Sequence, residues 1–177
     1  MKSLLTRTFL AAAVAITLAA CGGNDPVAET PLQATLIGRY AHNVSEGMSE
    51  IVAMHAASNS MFITVDTANA PTSFQRISLR NLSGTGLANP TTASNLESGA
   101  RTQVATDVND ANFIASGVQT LAISGNLLAI AVKATPKTNN GVVAFYRLDS
   151  QGNATYLKKV TVGSLPDGMA FSPDGSR

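Results

Sequence analysis

A histidine and two glutamates recur at four-residue intervals: His42, Glu46 and Glu50. On an α-helix this spacing would place one imidazole and two carboxylates on the same face, a donor set that suits a divalent cation. The surrounding residues show no helical pattern, however, and Glu50 leads into residues that favour a strand. The alternative is that all three are exposed loop side chains, because lone acidic residues are normally solvated.

Four carboxylates lie at the ends of predicted strands or in the connections beside them: Glu46, Glu50, Asp66 and Asp167. Ligand-binding residues often gather at such strand ends and connections, and carboxylate oxygens could hold Ca²⁺ there. Aspartate is also a preferred turn residue that bonds its own backbone, so a purely local role is the competing interpretation. Glu46, Glu50 and Asp167 are therefore the candidate metal ligands, and no other cofactor is predicted.

His55 falls at the end of a predicted strand, where a buried, hydrogen-bonded structural histidine is the alternative to a ligand or a base. A general base would need a partner within hydrogen-bond reach. The sequence contains no Gly-x-Ser-x-Gly nucleophile elbow, no His-Glu-x-x-His zinc motif and no phosphate-binding P-loop. No catalytic residue is assigned, and this favours a binding protein over an enzyme.

Charge and composition narrow the classes of partner. The 177 residues include 12 Lys and Arg against 11 Asp and Glu, a net charge of +1, and only 13% are charged. Such a chain produces no strong field to attract nucleic acid. Hydrophobic residues make up 45% of the chain, with no Trp and 5% aromatic residues, so the composition predicts a packed and mainly aliphatic core.

The N-terminus has the layout of a secretory signal, with two basic residues before the apolar run Phe9–Ala20. This run of 12 residues is shorter than the roughly 20 needed to span a bilayer. The segment Leu18–Cys21 resembles the lipobox of bacterial lipoproteins, which are cut before the cysteine, here between Ala20 and Cys21, and acylated on its sulfur. Lipidation would also explain the single cysteine, otherwise an unpaired thiol in an oxidising compartment. The alternative is a plain secretory signal with an incidental cysteine.

These features predict a lipoprotein signal peptide over residues 1–20 and a lipidated Cys21 with a flexible tether over residues 21–34. The resemblance implies several acyl chains, palmitate among them, and each buried methylene contributes about 0.8 kcal/mol to anchoring. Gly22 follows the cysteine, whereas an Asp there resembles an inner-membrane retention signal. We therefore expect the chain to be lipid-anchored in the cell envelope, at the outer membrane, with the membrane as a partner through the anchor.

From Thr35 onward short β-rich runs alternate with turn residues, which predicts an all-β chain. Two units of four strands can be aligned. The strands of the first unit are predicted at Gly47–Val52, Met61–Asp66, Ser73–Leu79 and Thr102–Val108. Those of the second unit are predicted at Val118–Ser124, Leu127–Lys133, Gly141–Leu148 and Thr155–Val162. The run Leu127–Val132 is apolar at every position, as expected of a strand with both faces covered.

Repeats of this kind are typical of a β-propeller, whose blades bury their faces against neighbouring blades. Partial units flank the two complete ones, with a last strand at Thr35–Tyr40 and the opening of a third unit at Pro166–Phe171. The polar stretch Asn81–Ala100 is predicted to be a loop insertion. Residues 35–177 are thus expected to form an incomplete β-propeller domain of about two blades. The alternative is a self-contained sandwich of about nine strands.

A family resemblance rests on several segments taken together. They are Leu36–Tyr40, Glu46-Gly47, Glu50–Ala53, Gly117–Lys133, Pro136–Thr138, Val162–Asp167 and Phe171–Gly175. As a set they resemble the opening blades of the choice-of-anchor I proteins, secreted or surface-attached bacterial propellers, some of which are labelled alkaline phosphatase or mesenchyme-specific cell surface glycoprotein. The chain departs from the family at Met54-His55, where Tyr-Asp is usual, and it lacks the acidic segment that usually follows the third unit. No site built from that segment is carried over.

Two functions fit these observations. The leading hypothesis is a non-enzymatic, lipid-anchored cell-envelope propeller that binds an unidentified ligand or protein at the cell surface. The alternative is part of a metal-dependent phosphoesterase, alkaline phosphatase-like or phytase-like, which the labels of some relatives suggest. Likeness of fold alone does not choose between them.

Replacement of Cys21 by serine tests the anchor. We expect Cys21→Ser to leave the chain unlipidated and loosely held at the membrane, because the acyl chains attach through the thiol and the apolar run is too short to span a bilayer. Metabolic labelling with a radioactive fatty acid is the measurement. Equal incorporation of label into the wild-type and Cys21→Ser chains would show that Cys21 is not the lipidation site.

Overall fold

The protein is described by a computed structural model, which covers residues 33–41, 49–66 and 72–175. These residues contain two four-stranded antiparallel sheets and little helix, so the prediction of an all-β chain is confirmed. The predicted signal peptide with Cys21, most of the tether, His42 and Glu46 lie outside the described residues.

Each sheet is formed by four consecutive strands that pair in chain order. The first sheet contains β1 (Val52–His55), β2 (Ser60–Val65), β3 (Ser73–Ser78) and β4 (Glu97–Gln103), with a single 3₁₀ turn (Ala56–Ser58) between β1 and β2. Helix α1 (Val104–Val108) then leads to the second sheet, which contains β5 (Ala115–Ser124), β6 (Leu127–Ala134), β7 (Asn140–Leu148) and β8 (Ala154–Ser164). This order is that of two successive propeller blades, and the sheets do not close into a ring, as expected of a partial propeller.

The inner faces of the two sheets, the faces turned toward each other, share one hydrophobic core. Alternate residues of β6 and β7 enter it, as the period of two along a strand requires. Its centre is a chain of aromatic rings, with centroids 6.1 Å apart between Phe62 and Phe74, 5.2 Å between Phe74 and Tyr146, and 5.6 Å between Tyr146 and Tyr156. The expectation of a mainly aliphatic core is confirmed, since 11 of the 15 buried residues in this core are Val, Leu, Ile or Ala, and aromatic rings lie at the contact between the sheets.

The second sheet closely follows the predicted strands. Each of the four predicted ranges lies within one of the strands β5–β8. The observed strands extend by no more than three residues beyond either predicted end. Residues Leu128 to Val132 of the central strand β6 are buried on both faces, which confirms the interpretation of this apolar run. Strand-favouring apolar runs separated by well-marked turns allowed this unit to be predicted from the sequence.

The first sheet differs from the prediction at its two outer strands. Of the described residues in the predicted strand Gly47–Val52, only Val52 belongs to β1, so the predicted position of this strand is wrong. The pairing of β1 with β2 runs from Val52 opposite Ile63 to His55 opposite Ser60. The prediction of a strand over Thr102–Val108 is wrong, since β4 ends at Gln103 and the rest forms α1. Val104 and Val108 are fully buried, and their four-residue spacing places both on one side of that helix.

The predicted flanking strands do not form within the described residues. Thr35–Tyr40 is not a strand but lies along the Asn81–Ala100 insertion, where the amides of Leu87 and Leu96 donate to the carbonyls of Leu36 and Arg39 at 2.9 and 3.2 Å. The last four residues of that insertion belong to β4. Pro166–Phe171 likewise forms no strand, since no described neighbour pairs with it.

Truncation of Leu128 tests the shared core. Leu128 is 0% exposed at the centre of β6, whereas Leu157 on β8 is 42% exposed. We expect Leu128→Ala to lower the free energy of unfolding by about 2–5 kcal/mol through lost burial and a residual cavity. The matched control Leu157→Ala should change it by less than about 0.5 kcal/mol. Urea denaturation of the full chain followed by circular dichroism is the measurement, and equal losses in both variants would contradict the packing described here.

Candidate functional site

In an antiparallel meander the starts of the odd-numbered strands and the ends of the even-numbered strands lie along one edge of the sheet. We call this edge the loop edge. The opposite edge carries the tight connections of the second sheet, and we call it the turn edge. Glu50 just before β1, Asp66 just after β2 and Asp167 after β8 all belong to the loop edge. Three of the four carboxylates singled out in the sequence therefore lie at the same edge of the fold.

Asp66 forms an ion pair with Lys133 across the two sheets. The Lys133 Nζ lies 3.8 Å from the Asp66 Oδ2, and both side chains are partly exposed. Gly117 on β5 lies against both groups, because a Cβ added there would be 2.6 Å from the Lys133 Cε and 2.9 Å from the Asp66 Oδ2. A glycine at this position therefore allows β5 to approach the pair closely.

The Asp66 carboxylate is held in an unfavourable environment. Burial raises its pKa above the ordinary value of 3.8, the Lys133 ammonium lowers it, and the negative charge of Glu50 raises it again. Two carboxylates and one ammonium thus act on one another at the loop edge. Within the described residues, no three His, Cys, Asp or Glu side chains gather where a metal ion could be held. The predicted ligand Glu46 lies outside them, and Asp167 is exposed.

A second feature of the loop edge is a cleft of about 630 Å³, which we call the polar cleft. It lies between the α1–β5 connection, the β6–β7 connection and the end of β8. Its walls are mostly polar. The lining residues are Asp110, Asn112, Phe113, Thr138, Asn139, Asn140, Val142, Lys159 and Thr161.

Lys159 holds one wall of the polar cleft together. Its Nζ donates to the Asp110 Oδ2 at 2.6 Å and to the Val108 carbonyl at 2.5 Å, and it lies 5.1 Å from the centre of the Phe113 ring. The hydrogen bond from Lys159, aided by the backbone amide of Asn112, lowers the pKa of Asp110. Sequence reasoning missed both residues of this ion pair, because they lie 49 positions apart and no motif connects them.

His55 lies at the turn edge and is 1% exposed. Its Nε2 donates to the Asn126 Oδ1 at 3.1 Å, since an amide oxygen can only accept, and its Nδ1 is hydrogen-bonded to the Ser58 hydroxyl at 2.8 Å. Both ring nitrogens therefore have a hydrogen-bond partner, as expected if His55 is a buried structural histidine rather than a ligand or a base. Ser58 is also fully buried, so this serine–histidine pair does not face a substrate.

The same edge is closed by further bonds between the two sheets. Arg80 donates from Nη2 to the Ser150 carbonyl at 2.8 Å, and Arg76 donates to the Gln151 carbonyl. Gly152 has a φ of +81°, and a Cβ there would lie 2.8 Å from the Arg76 Cδ. The turn edge is thus a structural joint, which leaves the loop edge as the candidate functional site. No described helix is long and apolar enough to cross a membrane.

The fold and the site together define a class of protein, an open array of propeller-type blades with a polar loop edge. A family model of the choice-of-anchor I domain matches residues 50–177, and the chain belongs to the choice-of-anchor I family. This confirms the resemblance drawn from the sequence and supports a cell-surface protein of bacteria. No curated protein and no solved structure matches the chain.

The raised pKa of Asp66 predicts how a neutral replacement responds to pH. The folded state binds the Asp66 proton more tightly than the unfolded state, so the contribution of Asp66 to stability falls as the pH rises above about 3.8 and the carboxyl ionises. We expect Asp66→Asn to gain stability relative to wild type between pH 3.5 and pH 7, values chosen to lie on either side of roughly pH 4. Urea denaturation at the two pH values is the measurement.

Asp149 provides a control of opposite sign. Hydrogen bonds from the Asn153 side chain and backbone lower the pKa of Asp149, so its stabilising effect is present above about pH 3.8 and is lost as the pH falls through its lowered pKa. Asp149→Asn should therefore lose stability relative to wild type as the pH rises. The same pH trend in both variants would contradict the electrostatics described for Asp66.

Proposed function

We propose that the chain is a lipid-anchored cell-envelope β-propeller protein that binds a ligand or a partner protein at the bacterial surface and is not itself an enzyme. The observation that carries this proposal is the polar cleft at the loop edge. The family supports the surface location, and the cleft supplies a place where a ligand could be held. Nucleic acid is not among the proposed partners, since the net charge is only +1.

The side chains of the polar cleft are available for binding. Five of its polar residues make no side-chain hydrogen bond to any other residue that the structure describes: Asn112, Thr138, Asn139, Asn140 and Thr161. All five are exposed around the fixed pair of Lys159 and Asp110. Polar groups that converge on a cleft and are not used by the fold give a ligand both affinity and orientation.

The anchor is the second part of the proposal and rests on the sequence before the described residues. Lipidation at Cys21 after cleavage behind Ala20 would attach the chain to the outer membrane. The tether from residue 22 to residue 34 reaches at most about 45 Å when fully extended. A chain held in this way would present its propeller blades close to the membrane surface, within reach of envelope components.

A metal-dependent phosphoesterase is the competing hypothesis, and it assigns a different role to the loop edge. It needs carboxylates such as Glu46, Glu50 and Asp167 to act as metal ligands. A binding protein does not need these carboxylates as metal ligands. Glu50 and Asp167 are both exposed, so neutral replacements there can be made without disturbing the core.

The test is hydrolysis of p-nitrophenyl phosphate by the full chain, with and without added Ca²⁺. We expect no metal-dependent turnover above that of the heat-denatured chain, and no difference between wild type, Glu50→Gln and Asp167→Asn. Metal-dependent turnover that both substitutions abolish would overturn the binding proposal. Turnover that both variants retain would also overturn it and would place the active site elsewhere.

A further inference from the structure

We infer that the polar cleft binds an uncharged oligosaccharide. This inference rests on the proposed function and specifies the chemical class of its ligand. The argument depends on the charge of the cleft, the hydrogen-bonding character of its walls and its size.

The lining of the cleft has no uncompensated charge. Its two ionisable residues, Lys159 and Asp110, bond to each other at 2.6 Å. The ammonium is also occupied by the Val108 carbonyl and the Phe113 ring, so it is not available as a binding site for an anion. A phosphate or carboxylate ligand would have to break this pair, whereas an uncharged ligand leaves it intact.

The remaining polar walls are amides and hydroxyls from three separate elements. Asn112 comes from the α1–β5 connection, Thr138, Asn139 and Asn140 from the β6–β7 connection and the start of β7, and Thr161 from β8. An amide side chain and a hydroxyl group can each donate and accept hydrogen bonds. Sugar hydroxyls also do both, so a polyhydroxylated ligand matches these walls better than a group that only donates or only accepts.

Size and polarity also favour a sugar. The volume of about 630 Å³ falls within the range of small-molecule sites, about 300–1,000 Å³. Two lining residues are apolar, Phe113 and Val142, and they are 7% and 1% exposed. An apolar ligand would therefore find little apolar surface to cover, while a sugar can place its hydroxyls against the polar walls.

The experiment measures binding to the full chain in a detergent without a sugar headgroup. Isothermal titration calorimetry is carried out with maltotriose, cellotriose and N,N′,N″-triacetylchitotriose. A sulfated heparin disaccharide and an uncharged Gly-Ser peptide with blocked termini are the contrasting probes. Asn139→Ala and Thr161→Ala remove side chains from the cleft. Thr155→Ala is the matched control, because Thr155 is an exposed threonine on the same strand as Thr161 but at the turn edge. Thermal melts followed by circular dichroism check that all variants fold.

We expect saturable binding of at least one neutral trisaccharide. Each cleft substitution should weaken it by about threefold to tenfold, the effect of one lost hydrogen bond, and Thr155→Ala should leave it unchanged. The inference is overturned if no trisaccharide binds, if only the heparin disaccharide or the peptide binds, or if neither cleft substitution weakens binding. Those results do not overturn the proposed function of surface binding. That proposal is overturned by metal-dependent phosphatase activity, which is measured separately.

Discussion

The burial of two sheet faces against each other is the interaction on which the rest of the structure depends. Phe62 and Phe74 from the first sheet meet Tyr146 from the second in a continuous row of rings. Apolar area removed from water stabilises by about 25 cal/mol per Å², so this contact between large side chains outweighs any single polar bond between the sheets. Because it fixes the two meanders side by side, it also determines which connections meet at each edge.

The two edges are used differently. At the turn edge the polar groups of one sheet are satisfied by the other, as His55 is by Asn126 and Arg80 by the Ser150 carbonyl. At the loop edge several polar groups are not used in this way, and burial holds the pKa of Asp66 above its ordinary value. Groups kept at some cost to stability are typical of functional positions. This contrast is the physical reason for placing the site at the loop edge.

Sequence patterns predicted the second sheet better than the first. In β5–β8 the apolar runs and the turn residues agree, so local preference and tertiary packing favour the same strands. In the first sheet Val104 and Val108 favour a strand by residue type, yet they pack as one side of a short helix. A β-branched pair at four-residue spacing fits either structure, and only the path of the chain toward β5 decides between them.

The sequence alone determined the all-β class, the two four-strand units and the family. Each of these depends on local features of the chain, namely short strand-favouring runs, turn residues and the order of short segments. It also predicted that His55 could be a structural residue, which the hydrogen bonds at both ring nitrogens now show. Only the tertiary structure could pair Asp110 with Lys159 and His55 with Asn126, which lie 49 and 71 positions apart. Each pair joins a residue of a connection to a strand residue that the packing of the fold brings beside it, and no local periodicity specifies which strand residue a connection will meet.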